Sequence, residues 1–199
     1  MGDLGELTKA GLWLGSGLVA LVAMEFWADF LHGKVWHGLL WSVHKSHHEP
    51  RVGRWEANDA LSSLHAPIAI ALILYGCLGL PSVARELAYG WGLGMTAFGL
   101  LYLLFHDGLM HGRLPVGFLR KVPYFRLVCD AHAIHHERNG GPYGFFRVSP
   151  KLRRVLARRA AERAAGLQAA GHAAGEGPRA ASLAVGAGRP VDAGVDRAG

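Results

Sequence analysis

The sequence predicts an all-α protein: an integral membrane helical bundle of three to four membrane helices with a histidine-rich di-metal site at the cytoplasmic face. Three observations lead there. The apolar residues of the 199-residue chain gather in blocks over 11–31, 65–80 and 87–105, against the roughly 20 residues that cross the hydrocarbon of a bilayer. Ten of the twelve histidines fall into two phrases, HxxxxH and HxxHH, and the pair of phrases occurs twice in the same order. The second and third apolar blocks are joined by a short turn, so the chain returns its second histidine set to the membrane face of the first.

The first block, GLWLGSGLVALVAMEFWADFL, is uncharged until Glu25 and Asp29. Before it stand Asp3, Glu6 and Lys9, and no small-residue cleavage site follows it, so it reads as an anchor rather than a cleaved signal. Glu25, Asp29 and His32 lie at i, i+4 and i+7 on one helical stripe. A carboxylate inside a span is costly and usually functional, which makes Glu25 and Asp29 candidates for fixing the tautomer of a ligating imidazole. The second block is short for a crossing and is expected to begin near Ala60. After PSVARE the third block, AYGWGLGMTAFGLLYLLF, leads to His106. Its glycines, Gly90, Gly92, Gly94 and Gly99, suit close helix packing or a ligand groove, packing being favoured.

Residues 112–131 mix Arg113, Arg120, Lys121 and Arg126 with aromatics and two prolines, and predict an interfacial amphipathic segment that is also the one candidate for a fourth span. Pro150 starts a basic Ala/Arg helix expected to reach about Leu167. The division expected is a membrane metal domain over 1–155 and a basic, Ala/Gly-rich, largely disordered tail over 156–199. Nine of the 21 Lys and Arg residues follow Pro150, so the net charge of +6 reads as the basic flank of a membrane protein, not a nucleic-acid surface. Residues 32–59 and 106–150 carry four and six cations against Arg85 alone in the intervening turn. The histidine face is therefore expected in the cytoplasm and the N-terminus outside.

Imidazole is the commonest metal ligand, and scattered polar histidines have no reason to repeat a spacing. The candidate ligands are His32, His37, His44, His47, His48, His106, His111, His132, His135 and His136. HxxHH places three rings at i, i+3 and i+4, a preformed half-site on one helical face. HxxxxH is different, because residues five apart lie about 140° around an α-helix. The pair converges only if the helix bends or carries a π-bulge, which is predicted near Gly33 and Gly112. Glu56, Asp59 and Asp107 are placed around the ligands rather than on the metal, since ten imidazoles already saturate two ions. The two cysteines, Cys77 and Cys129, have no CxxC partners and are not expected to bind. His65 and His172 lie outside the phrases and read as ordinary polar residues.

The runs MEFWADFLHGKVWHGLLWSVHKSHHEPR, EAND, GLLYLLFHDGLMHGR and AHAIHHERNGGPYGF resemble the bacterial β-carotene hydroxylases, a branch of the membrane fatty-acid hydroxylase superfamily, over residues 15–155. The resemblance implies a non-haem di-iron monooxygenase using O₂ and electrons from reduced ferredoxin. It implies hydroxylation at C-3 of the β-ionone rings of β-carotene, through β-cryptoxanthin to zeaxanthin, with canthaxanthin to astaxanthin as a further conversion. It implies the ten phrase histidines as ligands to two Fe ions, a bacterial inner-membrane location and a carotenoid substrate dissolved in lipid. A lipid-open groove then suits the chemistry, with Trp27, Trp36, Phe98, Tyr102 and Phe105 as candidate walls. The rivals are a ketolase, desaturase or fatty-acid or sterol hydroxylase on the same scaffold, and, more remotely, a membrane metal or haem carrier.

Overall fold

The computed structural model describes residues 5–176. Among them there is no strand. The first rod, α1 (Glu6–Phe30), runs without a break into a π-helix over Leu31–Leu39. A short α2 (Trp41–His44) and a 3-10 turn (Lys45–His47) follow, then α3 (Asn58–Ser63) and α4 (Ala66–Leu78). The return helix α5 (Val83–Tyr102) passes into a second π-helix over Leu103–Met110. The last helices of the described residues are α6 (Pro123–Arg138) and α7 (Pro150–Glu176). Three segments, Glu6–Leu39, Asn58–Leu78 and Val83–Met110, are long and apolar enough to cross a membrane.

The central rod is α5, which packs against both α1 and α4. Small residues make the approach possible: a Cβ on Gly94 would collide with the carbonyl oxygen of Gly17 on α1. Gly92 meets α4 instead, where a Cβ would come 2.8 Å from Ile73. The far end of the bundle is tied by Glu86, buried to 2 % exposure, which accepts from Trp13 Nε1 at 2.7 Å and from Arg85. Ser82 caps α5 by accepting from the Arg85 amide at 3.2 Å. The outer faces of α1 and α4 stay apolar and exposed at Leu14, Leu18, Val22, Ile70 and Leu74. In water such faces would be a liability; in lipid they are the solvent-matched surface.

Both HxxxxH phrases lie where the α-helix widens to a π-helix, as their spacing requires. Hydrogen bonds from i+5 to i bring residues five apart onto one face, and the His111 amide bonds to the His106 carbonyl at 3.0 Å. Gly112, at φ 66°, then turns the chain away. The segment expected to be one interfacial element over 112–131 is divided. A 3-10 turn covers Gly117–Lys121, and Pro123 opens the helix that carries the second triplet. Pro fits there because the first turn of a helix needs no donor from it. The compact unit that carries the histidines ends at Leu156. The basic helix continues past Leu167 to Glu176, and the Ala/Gly-rich stretch after it lies outside the described residues.

Candidate metal centre

The ten phrase histidines come together at one end of the bundle, and most of them are buried; His32, His44, His106 and His135 are at most 1 % exposed. They form two clusters. The first holds His32, His37, His44, His48 and His135, and the second His47, His111, His132 and His136, with the nitrogens of each cluster within 4.8 Å of one another. His106 stands against the second, its ring centroid 4.7 Å from those of His47 and His111.

Each HxxHH triplet is split, contrary to the expectation of one half-site per triplet. His44 and His48 serve the first cluster while His47 turns to the second; His132 and His136 serve the second while His135 turns to the first. The reason is angular. Consecutive helical residues such as His135 and His136 point about 100° apart and cannot aim at one ion, whereas residues at i and i+4 nearly eclipse. The two halves of the repeat therefore exchange one imidazole each.

Around the clusters, fixed acceptors set the tautomers. His32 Nδ1 donates to the Tyr143 carbonyl at 2.9 Å, His44 Nδ1 to Asn58 Oδ1 at 2.7 Å, and His135 Nδ1 to the Gly140 carbonyl at 2.8 Å. Each neutral ring then presents an unprotonated Nε2. Yet His32 Nε2 and His44 Nε2 lie 3.1 Å apart, lone pair against lone pair. In the second cluster His47 Nδ1 faces Glu56 at 3.4 Å, and His47 Nε2 is buried without a partner. Converging lone pairs with no proton between them are the donor set of a cation, so the residues fit a metal in each cluster.

Burial, reinforced by neighbouring imidazoles, pushes His48, His135 and His136 down to about 3 and His44 down to about 4. His111 is also lowered to about 4 by burial and then by Arg113. His47 and His132 are lowered by burial as well. The rings are thus neutral near pH 7, the state that binds metal.

Three of the five carboxylates placed around the ligands do stand there. Glu56, Asp59 and Asp107 surround Arg113, at 2.8, 2.7 and 3.6 Å. Asp107 also accepts from His106 Nδ1 at 2.8 Å. The other two have different tasks. Glu25 Oε1 accepts from the backbone amides of Phe146 and Arg147 at 2.9 and 3.0 Å, because that loop brings bare N–H groups closer than any imidazole. Asp29 lines a cavity of about 600 Å³ together with Tyr124, Tyr143, Phe146, Arg147 and Arg153.

Next to the centre lies a chamber of about 70 Å³ walled by Trp36, Phe98, Tyr102, Phe145 and His65. It shares Met24, His65 and Met95 with an outer groove of about 620 Å³ that Trp27 and Trp91 line. Tyr102 stacks on His106 at 4.4 Å, and Phe145 lies 5.1 Å from the same ring, so the chamber abuts the second cluster. Gly99 opens onto it, with nothing within 4 Å of a Cβ built there. Phe105 is not a wall. It packs against Phe125 and Phe146 at ring distances of 4.7 and 5.5 Å. Asn58, Gly140, Tyr143 and Phe145 carry no signal in the histidine spacing; only their place in the EAND and NGGPYGF runs marked them.

The family profile described as fatty acid hydroxylase matches residues 17–151. The chain is similar to a protein of Gentiana lutea named beta-carotene 3-hydroxylase, chloroplastic, 48% identical over 66% of this chain and 41% of the relative. An Arabidopsis thaliana protein named beta-carotene 3-hydroxylase 1, chloroplastic, is 47% identical over 66% of this chain and 43% of its own length. A Pantoea ananas protein named beta-carotene hydroxylase is 37% identical over 77% of this chain and 90% of the relative. The chain spans less than half the length of the two plant relatives. No solved structure gives a significant match.

Proposed function

The chain belongs to the fatty acid hydroxylase family, and from that premise we propose that it is a non-haem di-iron monooxygenase hydroxylating C-3 of the β-ionone rings of β-carotene, through β-cryptoxanthin to zeaxanthin. The observation that carries the reading is the pair of imidazole clusters with converging, unprotonated nitrogens beside a chamber that continues into a lipid-facing groove. The names of the plant and Pantoea relatives support the substrate. The ligands are His32, His37, His44, His48 and His135 to one iron, and His47, His106, His111, His132 and His136 to the other. The balance is R–H plus O₂, two electrons and two protons to R–OH and water, with reduced ferredoxin as the electron donor. When bound, the irons supply the oxidising power to take hydrogen from an unactivated C–H, which no side-chain acid or base can do.

The protein's own residues do the rest. Asn58 Oδ1 and the carbonyls of Gly140 and Tyr143 hold three imidazoles in the donor tautomer. Arg113 pairs with Glu56, Asp59 and Asp107 and orients them behind His47 and His106. Trp36, Phe98, Tyr102 and Phe145, all at most 9 % exposed, exclude water from the side where an apolar ring arrives. The excess of Lys and Arg on the histidine segments supports a cytoplasmic site in a bacterial inner membrane. The catalytic body is residues 1–155, with 156–199 as its basic tail; the family match ending at 151 supports that boundary.

Expression in a β-carotene-accumulating host, followed by pigment identification, tests the reading. Zeaxanthin and β-cryptoxanthin are expected, and His47→Ala is expected to yield neither. An oxo-carotenoid or an unchanged polyene from the wild-type protein rejects the hydroxylase.

A further inference from the structure

The outer groove and the inner chamber meet at His65, which sits at the break between α3 and α4. Its Nε2 accepts from Trp27 Nε1 at 2.8 Å. An indole N–H only donates, so the accepting nitrogen carries no proton and His65 is the Nδ1–H tautomer. The bond ties the lipid-facing side of α1 to the start of α4, along the line where the two cavities share lining residues.

Sizes decide what this bond does. An apolar cavity of roughly 150 Å³ admits benzene. The inner chamber offers about 70 Å³, so a methylated six-membered ring cannot occupy it with its walls as they stand. The outer groove, at about 620 Å³, is large enough for such a ring. One wall has to move. Trp36, Phe98 and Phe145 are 4–5 % exposed and packed, and Tyr102 is fixed by Ser62 at 3.0 Å and by stacking on His106. His65 is the wall shared with the outer groove, and it is held by Trp27, which lines the groove alone, stacks on Phe30 and is 46 % exposed on the lipid side.

We propose that the Trp27–His65 hydrogen bond is the threshold between the lipid groove and the inner chamber, and that it opens to admit the ring end of a polyene from the bilayer. This rests on the hydroxylase reading for the identity of the guest. The pair positions and admits substrate without touching the reacting carbon. In a chamber walled mainly by apolar side chains, with the Tyr102–Ser62 hydroxyl pair as its other polar contact, the bond holds the entrance shut against water and lipid tails until a ring breaks it and frees His65.

The test uses the iron-loaded full chain in lipid nanodiscs with a reducing system and β-carotene. Trp27→Phe and His65→Leu each remove the bond. Each should raise kcat/KM by about two- to ten-fold, the factor for one net hydrogen bond, with iron content unchanged. The double variant should gain no more than either single, since both delete one interaction. His65→Gln, whose amide oxygen still accepts, should keep the wild-type value. An unchanged kcat/KM in both singles, additive gains, or a parallel loss of kcat and iron overturns the threshold. Should the wild-type protein give no hydroxylated pigment, the functional reading falls separately. The threshold is then read without turnover, from the rate at which β-carotene delivered by vesicles quenches indole emission. Faster quenching in His65→Leu than in wild type and His65→Gln supports it, and equal rates overturn it.

Discussion

The ring centroids of His47 and His111 lie 4.1 Å apart, although the two residues belong to different halves of the histidine repeat. The first phrase set thus sends one imidazole into the cluster of the second, and His135 makes the return journey. Neither half of the chain can complete its cluster alone. The exchange couples the bends that follow α1 and α5, so an ion in either cluster fastens both ends of the repeat.

Asn58→Ala should weaken the first cluster without touching a ligand. The His44 ring loses the acceptor 2.7 Å from its Nδ1 and with it its fixed tautomer. A loss of about 10- to 100-fold in affinity for one of two ions is expected, read by chelator competition. Asn58→Asp keeps an acceptor and should retain the affinity.

Arg113→Met leaves Glu56, Asp59 and Asp107 facing one another, with side chains no more than 18 % exposed. Stranding buried charge typically costs about 3–5 kcal/mol, so thermal unfolding should move down sharply even with metal supplied. Arg113→Lys, a compact charge without the guanidinium fork, should recover only part of the loss.

Acidification should destabilise the metal-free protein. His44, His48, His111, His135 and His136 are lowered to about 3 or 4 in the fold, whereas the unfolded chain takes up protons near pH 6.5. Between those values the unfolded state binds more protons, so stability is full above about 6.5 and falls as pH drops towards 3. Melting temperatures of the metal-free protein in detergent from pH 8 to pH 4 should show that slope, and a flat profile would contradict neutral, buried imidazoles.

Gly33→Ala tests the seat of His32. A Cβ there would lie 2.6 Å from the Tyr143 ring, and the Tyr143 carbonyl is the acceptor for His32. Overpacking of this kind costs about 1–3 kcal/mol. The variant should melt lower and bind metal more weakly in the first cluster, whereas Gly38→Ala, with nothing within 4 Å of its Cβ, should not.

Much of this site is legible in the sequence because spacing is geometry. HxxxxH cannot share a face of an α-helix, and both copies do lie where π-helices begin or run. The hairpin of α4 and α5 followed from two apolar blocks and a short turn. The exchange of His47 and His135 was not legible. It depends on the 3-10 turn at Lys45–His47 and on which side of each helix the opposing cluster lies, and neither leaves a mark in the spacing. Glu25 shows the same limit from another direction. It lies on the helix that leads to His32, but a loop far along the chain offers two backbone amides and takes the carboxylate. Tyr143 and Gly140 act through their carbonyls, which every residue has, so their side-chain identities gave no sign of that role.

The account is tested most directly by counting iron per chain in protein purified from iron-supplemented cells, with two paired substitutions. Wild type should carry two. His47→Ala with His132→Ala, both in the second cluster, should leave about one, because the first cluster keeps all five of its imidazoles. His47→Ala with His135→Ala damages both clusters and should leave close to none. One iron or fewer in active wild-type protein, or equal retention by the two double variants, would contradict the exchanged two-metal centre.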